Sequence, residues 1–199
     1  MTRAFRRHRF ARALLLALVA GALTLPAMAQ ESVVHFDPAQ TKITFTLDDI
    51  LHTVRGAFTL KSGEVRFDRQ TGAASGALVI DAASGDSGNH TRDKKMHKDI
   101  LQTDRYPEIT FVAQRVMGTV PASGAAQIQV AGIFRIHGAD HPLTLTLPVE
   151  TAGSRVKTTT SFEVPYVAWG MKDPSTFILR VGKTVKIDIA AVGQIASPK

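Results

Sequence analysis

From Val33 onward the chain alternates apolar and polar positions with a period of two, the pattern of a strand with one buried and one wet face. Ile43, Phe45 and Leu47 make one such row, Val54, Gly56, Phe58 and Leu60 the next, and Val65 with Phe67 a third, before a turn at 68–72. Leu78 and Ile80 follow Gly76, and Ile109, Phe111 and Ala113 follow Pro107. Ile128, Val130, Gly132, Phe134 and Ile136 then alternate along a strand in which Gly132 predicts a bend. Leu143, Leu145, Leu147 and Val149 continue the series, and 156–164, 177–181 and 185–191 complete it, the last two joined by a turn at Gly182 and Lys183. This amounts to about eight to ten antiparallel strands with short connections.

So many strands with short links predict an all-β fold closed into a barrel, because closure removes the edges that would otherwise pair with other chains. A two-sheet sandwich is the competing arrangement. Residues 81–106 lack the alternation. They begin as a loop and then space Met96, Ile100 and Leu101 along one face of a short helix over 91–101. Asn89 or Thr91 can cap that helix and Pro107 keeps the next strand from being drawn into it, so it is expected to lie across one end of the barrel.

The first 29 residues break the pattern in another way. Arg3, Arg6, Arg7, Arg9 and Arg12 precede an apolar run over 13–25, then Pro26 and the small-x-small tripeptide Ala27-Met28-Ala29. The run is shorter than the roughly 18 residues of a membrane span and ends as a cleavable signal peptide does, so export with cleavage before Gln30 is expected, into the periplasm. An uncleaved anchor and a twin-arginine route through Arg6-Arg7 are the alternatives. The mature domain is then 30–199, without linker or repeat.

Removing the leader changes the electrostatics. Five of the 24 basic residues leave with it and none of the 17 acidic ones, so a formal charge of +7 falls to +2. A nucleic-acid partner needs a clustered basic face, and a near-balanced chain gives no reason to expect one. With no cysteine, the fold has no disulfide, thiolate nucleophile or cysteine-bound metal and must be held by its own core.

Catalytic motifs are missing: there is no nucleophile elbow, phosphate-cradling glycine loop, His-Glu-x-x-His or dinucleotide fingerprint, so neither an enzyme nor a cofactor is expected, and a hydrolase or isomerase with an unrecognised site is the remote alternative. Asp48-Asp49 reads as a solvated loop pair. His137-Gly138-Ala139-Asp140-His141 gathers two imidazoles and a carboxylate, but a hairpin turn explains it and a defined metal site needs more ligands, so no metal is expected. Arg92, Lys94, Lys95, His97 and Lys98 lie on or before the helix, where they either suit a phosphate head group or form a solvated face balanced by Asp93 and Asp99. On the inward parity, Phe45, Phe58, Phe67, Phe111, Phe134 and Phe162 alternate with the small residues Gly56, Ala113 and Gly132. An eight-stranded barrel so lined is either filled by its side chains or hollow enough for one ligand.

Several blocks resemble one family. Gly88 to His97 (Gly-Asn-His-Thr-Arg-Asp-Lys-Lys-Met-His) followed by Tyr106-Pro107-Glu108-Ile109-Thr110-Phe111 is similar to the pattern of the YceI family. So, in order, are Phe36-Asp37-Pro38 with Ile43-Thr44-Phe45, the block from His52 to Phe58, the block from Gly63 to Asp68, and the block from Gly132 to Gly138. The resemblance covers nearly the whole mature chain and departs at 166–175, where Lys172-Asp173-Pro174-Ser175 resembles a subgroup. It implies an extended, lipocalin-like eight-stranded antiparallel barrel in the periplasm that carries a polyisoprenoid or isoprenoid quinone in its lumen, with room for transient membrane contact and for a homodimer. On that reading Phe45, Phe58, Phe67, Phe111, Phe134, Leu145, Phe162 and Trp169 line the lumen, while Arg92, Lys95, Met96, His97 and Leu101 stand at the mouth near the head group. A filled barrel acting as a stress-related interaction module without lipid is the alternative.

Overall fold

The computed structural model describes residues 31–48, 53–176 and 180–196; the leader over 1–29 lies outside them. Among the described residues nine antiparallel strands form the sheet: β1 (Glu31–Phe36), β2 (Lys42–Asp48), β3 (Thr53–Asp68), β4 (Ala74–Asp86), β5 (Glu108–Met117), β6 (Gly124–Ile136), β7 (Ala139–Ala152), β8 (Arg155–Val164) and β9 (Val185–Ala196). Around the ring they run β3-β2-β9-β8-β7-β6-β5-β4, and β4 pairs back onto β3. The result is a closed eight-stranded barrel.

The ninth strand does not widen the ring, because β1 and β2 share one position in the wall. β2 pairs with the first half of β3 (Phe45 opposite Gly56), and β1 with the second half (Val34 opposite Val65). β9 likewise faces β2 through Ile189 and β1 through Ile195. A single 3-10 turn, Pro38–Gln40, separates the two. Pro38 lacks the amide a continuous ladder would require, and the Asp37 carboxylate caps the turn by accepting from the Ala39 amide at 2.9 Å.

Two bulges keep the apolar set inside. In β3 the inward parity is even through Val54, Gly56, Phe58 and the fully buried Leu60, then odd through Gly63, Val65 and Phe67. The switch falls where the register with β4 slips between Leu60 and Ser62. The sequence pattern predicted two strands here; the structure has one continuous strand of 16 residues, since an inserted residue flips parity without ending the ladder. β5 repeats the device: Ile109, Phe111 and Ala113 are buried on odd positions and Val116 on an even one, across the slip between Ala113 and Arg115.

The expected loop from Ala82 to Gly88 is a second difference, for β4 continues to Asp86. Side-chain bonds support this irregular end: the Thr59 amide donates to Ser84 Oγ at 2.8 Å, and the Ser84 hydroxyl donates to the Asp81 carbonyl at 2.6 Å. The helix α1 (His90–Lys95) comes next, capped by Asn89, whose side chain accepts from the Arg92 amide at 3.0 Å. It runs on as a π-helical segment, Met96–Leu101, that buries Leu101 and half-buries Met96 and Ile100 against the core, the face predicted from spacing. The predicted strand at 177–181 falls largely on 177–179, outside the described residues.

Gly132, expected at a bend, sits opposite the β5 bulge. A Cβ there would overlap the Val112 carbonyl and lie 2.8 Å from Phe111 Cζ, so this glycine lets a ring cross the strand. Gly132→Ala should cost about 1–3 kcal/mol, read as a lower urea midpoint. Gly153→Ala, in a turn where a Cβ meets nothing, should cost less despite its φ of +59°.

Candidate functional site

Each wall strand sends alternate side chains to the axis, and these enclose a void of about 120 Å3. Phe67, Phe111, Phe134, Leu145 and Phe162 line it, together with aliphatic residues from every strand of the ring, including Ile43, Leu78, Val130, Val156 and Ile189. Thr158 and Thr160 are the polar residues of the lining, which contains no titratable side chain. The ring of Phe134 stands edge-on to that of Phe162 at 5.6 Å, an arrangement aromatic quadrupoles favour.

Side chains crowd both ends of this void. At the helix end the rings of Phe45 and Phe58 pack on each other at 5.3 Å, and neither borders the void, although both face inward. Gly56 and Gly85 make that plug dense: a Cβ on Gly56 would overlap the Phe45 ring, and one on Gly85 would lie 2.6 Å from Phe58 and 2.8 Å from the Met96 methyl. Trp169, also expected in the lumen, lies beyond the void and meets it through Phe134, at 6.0 Å between ring centroids. At the opposite end the Arg69 guanidinium donates to Ser32 Oγ at 2.7 Å and to the Val120 carbonyl at 2.9 Å, and lies over the Phe67 ring.

Of the residues expected at the mouth, Leu101 is buried in the core and Met96 packs over Phe58. Arg92 is committed to the protein, donating to the Ser87 hydroxyl and the Ser87 carbonyl, each at 2.7 Å. Asp93 accepts from that same serine, whose hydrogen bonds hold the carboxyl below its usual range against the desolvation that opposes them. His97 Nε2 bonds the Gly85 carbonyl at 2.8 Å, and Lys95 is exposed. Of the two readings the sequence left for this run, a head-group cluster or a solvated face, the exposed lysines are what a solvated face would show, while Arg92 is tied to a loop. His137 and His141 separate onto different rings, Tyr106 at 4.7 Å and Trp169 at 3.8 Å. Among the described residues, no group of three or more His, Asp or Glu side chains is placed to hold a metal.

The connection from β8 to β9 completes the helix end. Buried Tyr166 donates its hydroxyl to the Gly182 carbonyl at 2.7 Å, and the Gly182 amide donates to the Asp48 carbonyl at 3.0 Å, so the loop is stitched to the end of β2. Val120, Val34 and Phe36 also border the void and were not expected there. Val120 lies between strands where no alternation points to it, and β1 is too short for its pattern to stand out.

The model of the YceI-like domain family matches residues 35–192. The chain belongs to the YceI-like family. No curated protein matches it. Among solved structures it is similar to BcnA of Burkholderia cenocepacia, with a TM-score of 0.67, 23% identity, and coverage of 79% of this chain and 98% of that one. A polyisoprenoid binding domain from Saccharophagus degradans, implicated in plant cell wall breakdown, superposes with a TM-score of 0.61 at 14% identity over 83% of this chain and 98% of its own. The YCEI protein of Campylobacter jejuni superposes with a TM-score of 0.52 at 15% identity, over 70% and 83% of the two chains. These likenesses show a shared barrel, and YceI-like membership points to a binding protein rather than an enzyme.

Burial raises the Tyr166 phenol to about 12, with the Asp173 carboxylate adding to the shift. The folded-state value lies above the ordinary 10.0, so the stabilisation is intact below pH 10 and is lost as pH rises from 10 towards about 12. Wild type should lose on the order of 2 kcal/mol across that window beyond what Tyr166→Phe loses, measured as the difference in urea midpoints between about pH 9 and about pH 11.5.

Proposed function

We propose that this protein is exported, loses residues 1–29, and binds the hydrocarbon tail of a polyisoprenoid or isoprenoid quinone in its lumen as a periplasmic carrier. One observation carries the reading: the void on the barrel axis is walled by hydrocarbon, without a titratable group that could perform chemistry. The name of the Saccharophagus degradans domain, which shares the fold, supports the same ligand class.

The magnitudes set a condition. About 120 Å3 is close to the roughly 150 Å3 apolar cavity that takes up one benzene, so the lumen has room for about one prenyl unit. A longer tail enters only as Phe111, Phe134 and Phe162 turn aside. Covering several hundred Å2 of tail at roughly 25 cal/mol per Å2 favours binding by on the order of 10 kcal/mol before ordering costs, enough to drive that rearrangement. Exposed Lys94, Lys95 and Lys98 at the helix end would meet an anionic membrane surface during loading.

The tight Phe45–Phe58–Met96 plug favours the second reading, a filled barrel that acts as an interaction module. Organic extraction of protein taken from its native compartment, followed by mass spectrometry, separates the two: a stoichiometric lipid is expected, and clean protein would favour the filled barrel. Phe134→Trp, which adds bulk beside the void, should reduce lipid uptake at least about tenfold while retaining the barrel's circular dichroism.

A further inference from the structure

Beyond one end of the lumen stands a buried polar atom without a partner among the described residues. His141 of β7 stands opposite Phe134 of β6 in the sheet register, on the inward parity of Leu145, Leu147 and Val149. Its ring lies flat on the Trp169 indole, 3.8 Å between centroids and 8° from parallel. Trp169 in turn meets Phe134, which borders the void, so the stacked pair is joined to the lumen through one shared ring. The His141 ring is half-buried, and its Nε2 is shielded from solvent with no hydrogen-bond partner among the described residues. Buried polar atoms are nearly always paired, with protein, water or a bound group, so an exception calls for a partner.

Two other imidazole nitrogens share that condition, His97 Nδ1 and His137 Nε2, but their settings differ. His97 is anchored to the Gly85 carbonyl through its other nitrogen, and His137 occupies the β6–β7 turn against Tyr106. Neither is joined to a residue of the void through a chain of ring contacts, as His141 is through Trp169 and Phe134. His141 alone among the three is connected to it.

We propose that His141 is the hydrogen-bond anchor for the head of the lumen's ligand, and that this head is uncharged and bears oxygen, a hydroxyl or a carbonyl. The proposal rests on the lumen binding a hydrocarbon tail. A single imidazole nitrogen satisfies one oxygen, donating to a carbonyl or accepting from a hydroxyl according to its tautomer. A phosphate or diphosphate would need several donors and a counter-charge in this apolar setting. Arg92 is bonded to Ser87, Lys183 lies 3.6 Å from Asp173, Arg135 is paired with Asp140 on the outer face, and Lys172, Lys94, Lys95 and Lys98 are exposed to solvent, so none of these cations is held in the apolar setting. The flat Trp169 face fixes the imidazole plane.

Trp169 is the single tryptophan of the chain and reports on this end of the barrel directly. Delipidated full-length mature protein is titrated with geranylgeraniol, geranylgeranyl diphosphate and the corresponding hydrocarbon lacking the hydroxyl, following Trp169 emission and, independently, bound ligand by native mass spectrometry. Wild type should bind the alcohol about tenfold or more tightly than either of the others. His141→Leu should bind the hydrocarbon as wild type does but lose the preference for the alcohol, and His141→Gln, which keeps a donor and an acceptor, should retain part of it. Tightest binding of the diphosphate, or an alcohol preference that survives in His141→Leu, would overturn the proposal while leaving the lumen reading intact. Failure of all three ligands to bind would remove the lumen reading and this proposal together. If His141→Leu does not fold, the wild-type ranking of alcohol against diphosphate and hydrocarbon still decides.

Discussion

Closure of the sheet is the constraint on which the rest of the structure depends. Once β4 pairs back onto β3, every wall position has an inside and an outside, and a strand that lost its parity would turn a row of apolar side chains into water. The chain meets this with inserted residues in β3 and β5, each placed where the inward set changes from one parity to the other. The broken wall strand made of β1 and β2 answers the same demand, since the Pro38 turn lets two short segments cover one long stretch of β3 and β9.

Closure also decides what the interior can do. Eight strands leave a core about as wide as two facing layers of side chains, so the balance of aromatic against small residues sets whether it is solid or hollow. Here both outcomes occur in one molecule. Gly56 and Gly85 admit the rings of Phe45 and Phe58 and the Met96 thioether, and the helix end is filled; beyond it the aliphatic wall leaves an apolar void. Burial in such a void is non-directional, whereas a hydrogen-bonding group shielded from water discriminates between partners.

Much of the wall was legible in the amino-acid pattern. Strands β2, β6, β7 and β8, the inward rows through Phe111, Phe134 and Leu145, and the capped helix after Asn89 are set by alternation, turn residues and helical spacing. The unbroken β3 was not, since a bulge and a turn both interrupt a period of two. Nor was the extension of β4 through Ala82-Ala83-Ser84, where small residues carry no period and Ser84 supplies bonds to distant backbone. The cationic cluster at 92–98 looked like one unit in sequence, yet Arg92 turns to Ser87 and the lysines to water.

By itself the sequence determined which side chains of most strands face inward and that the interior would be hydrocarbon, because alternation is a local property that any pleated strand preserves. It did not determine where the interior is hollow, which rings plug it, or that His141 Nε2 would be shielded from solvent. Those depend on contacts between residues far apart in the chain, such as Phe134 with Phe162 and His141 with Trp169, and only closure of the barrel brings them within reach.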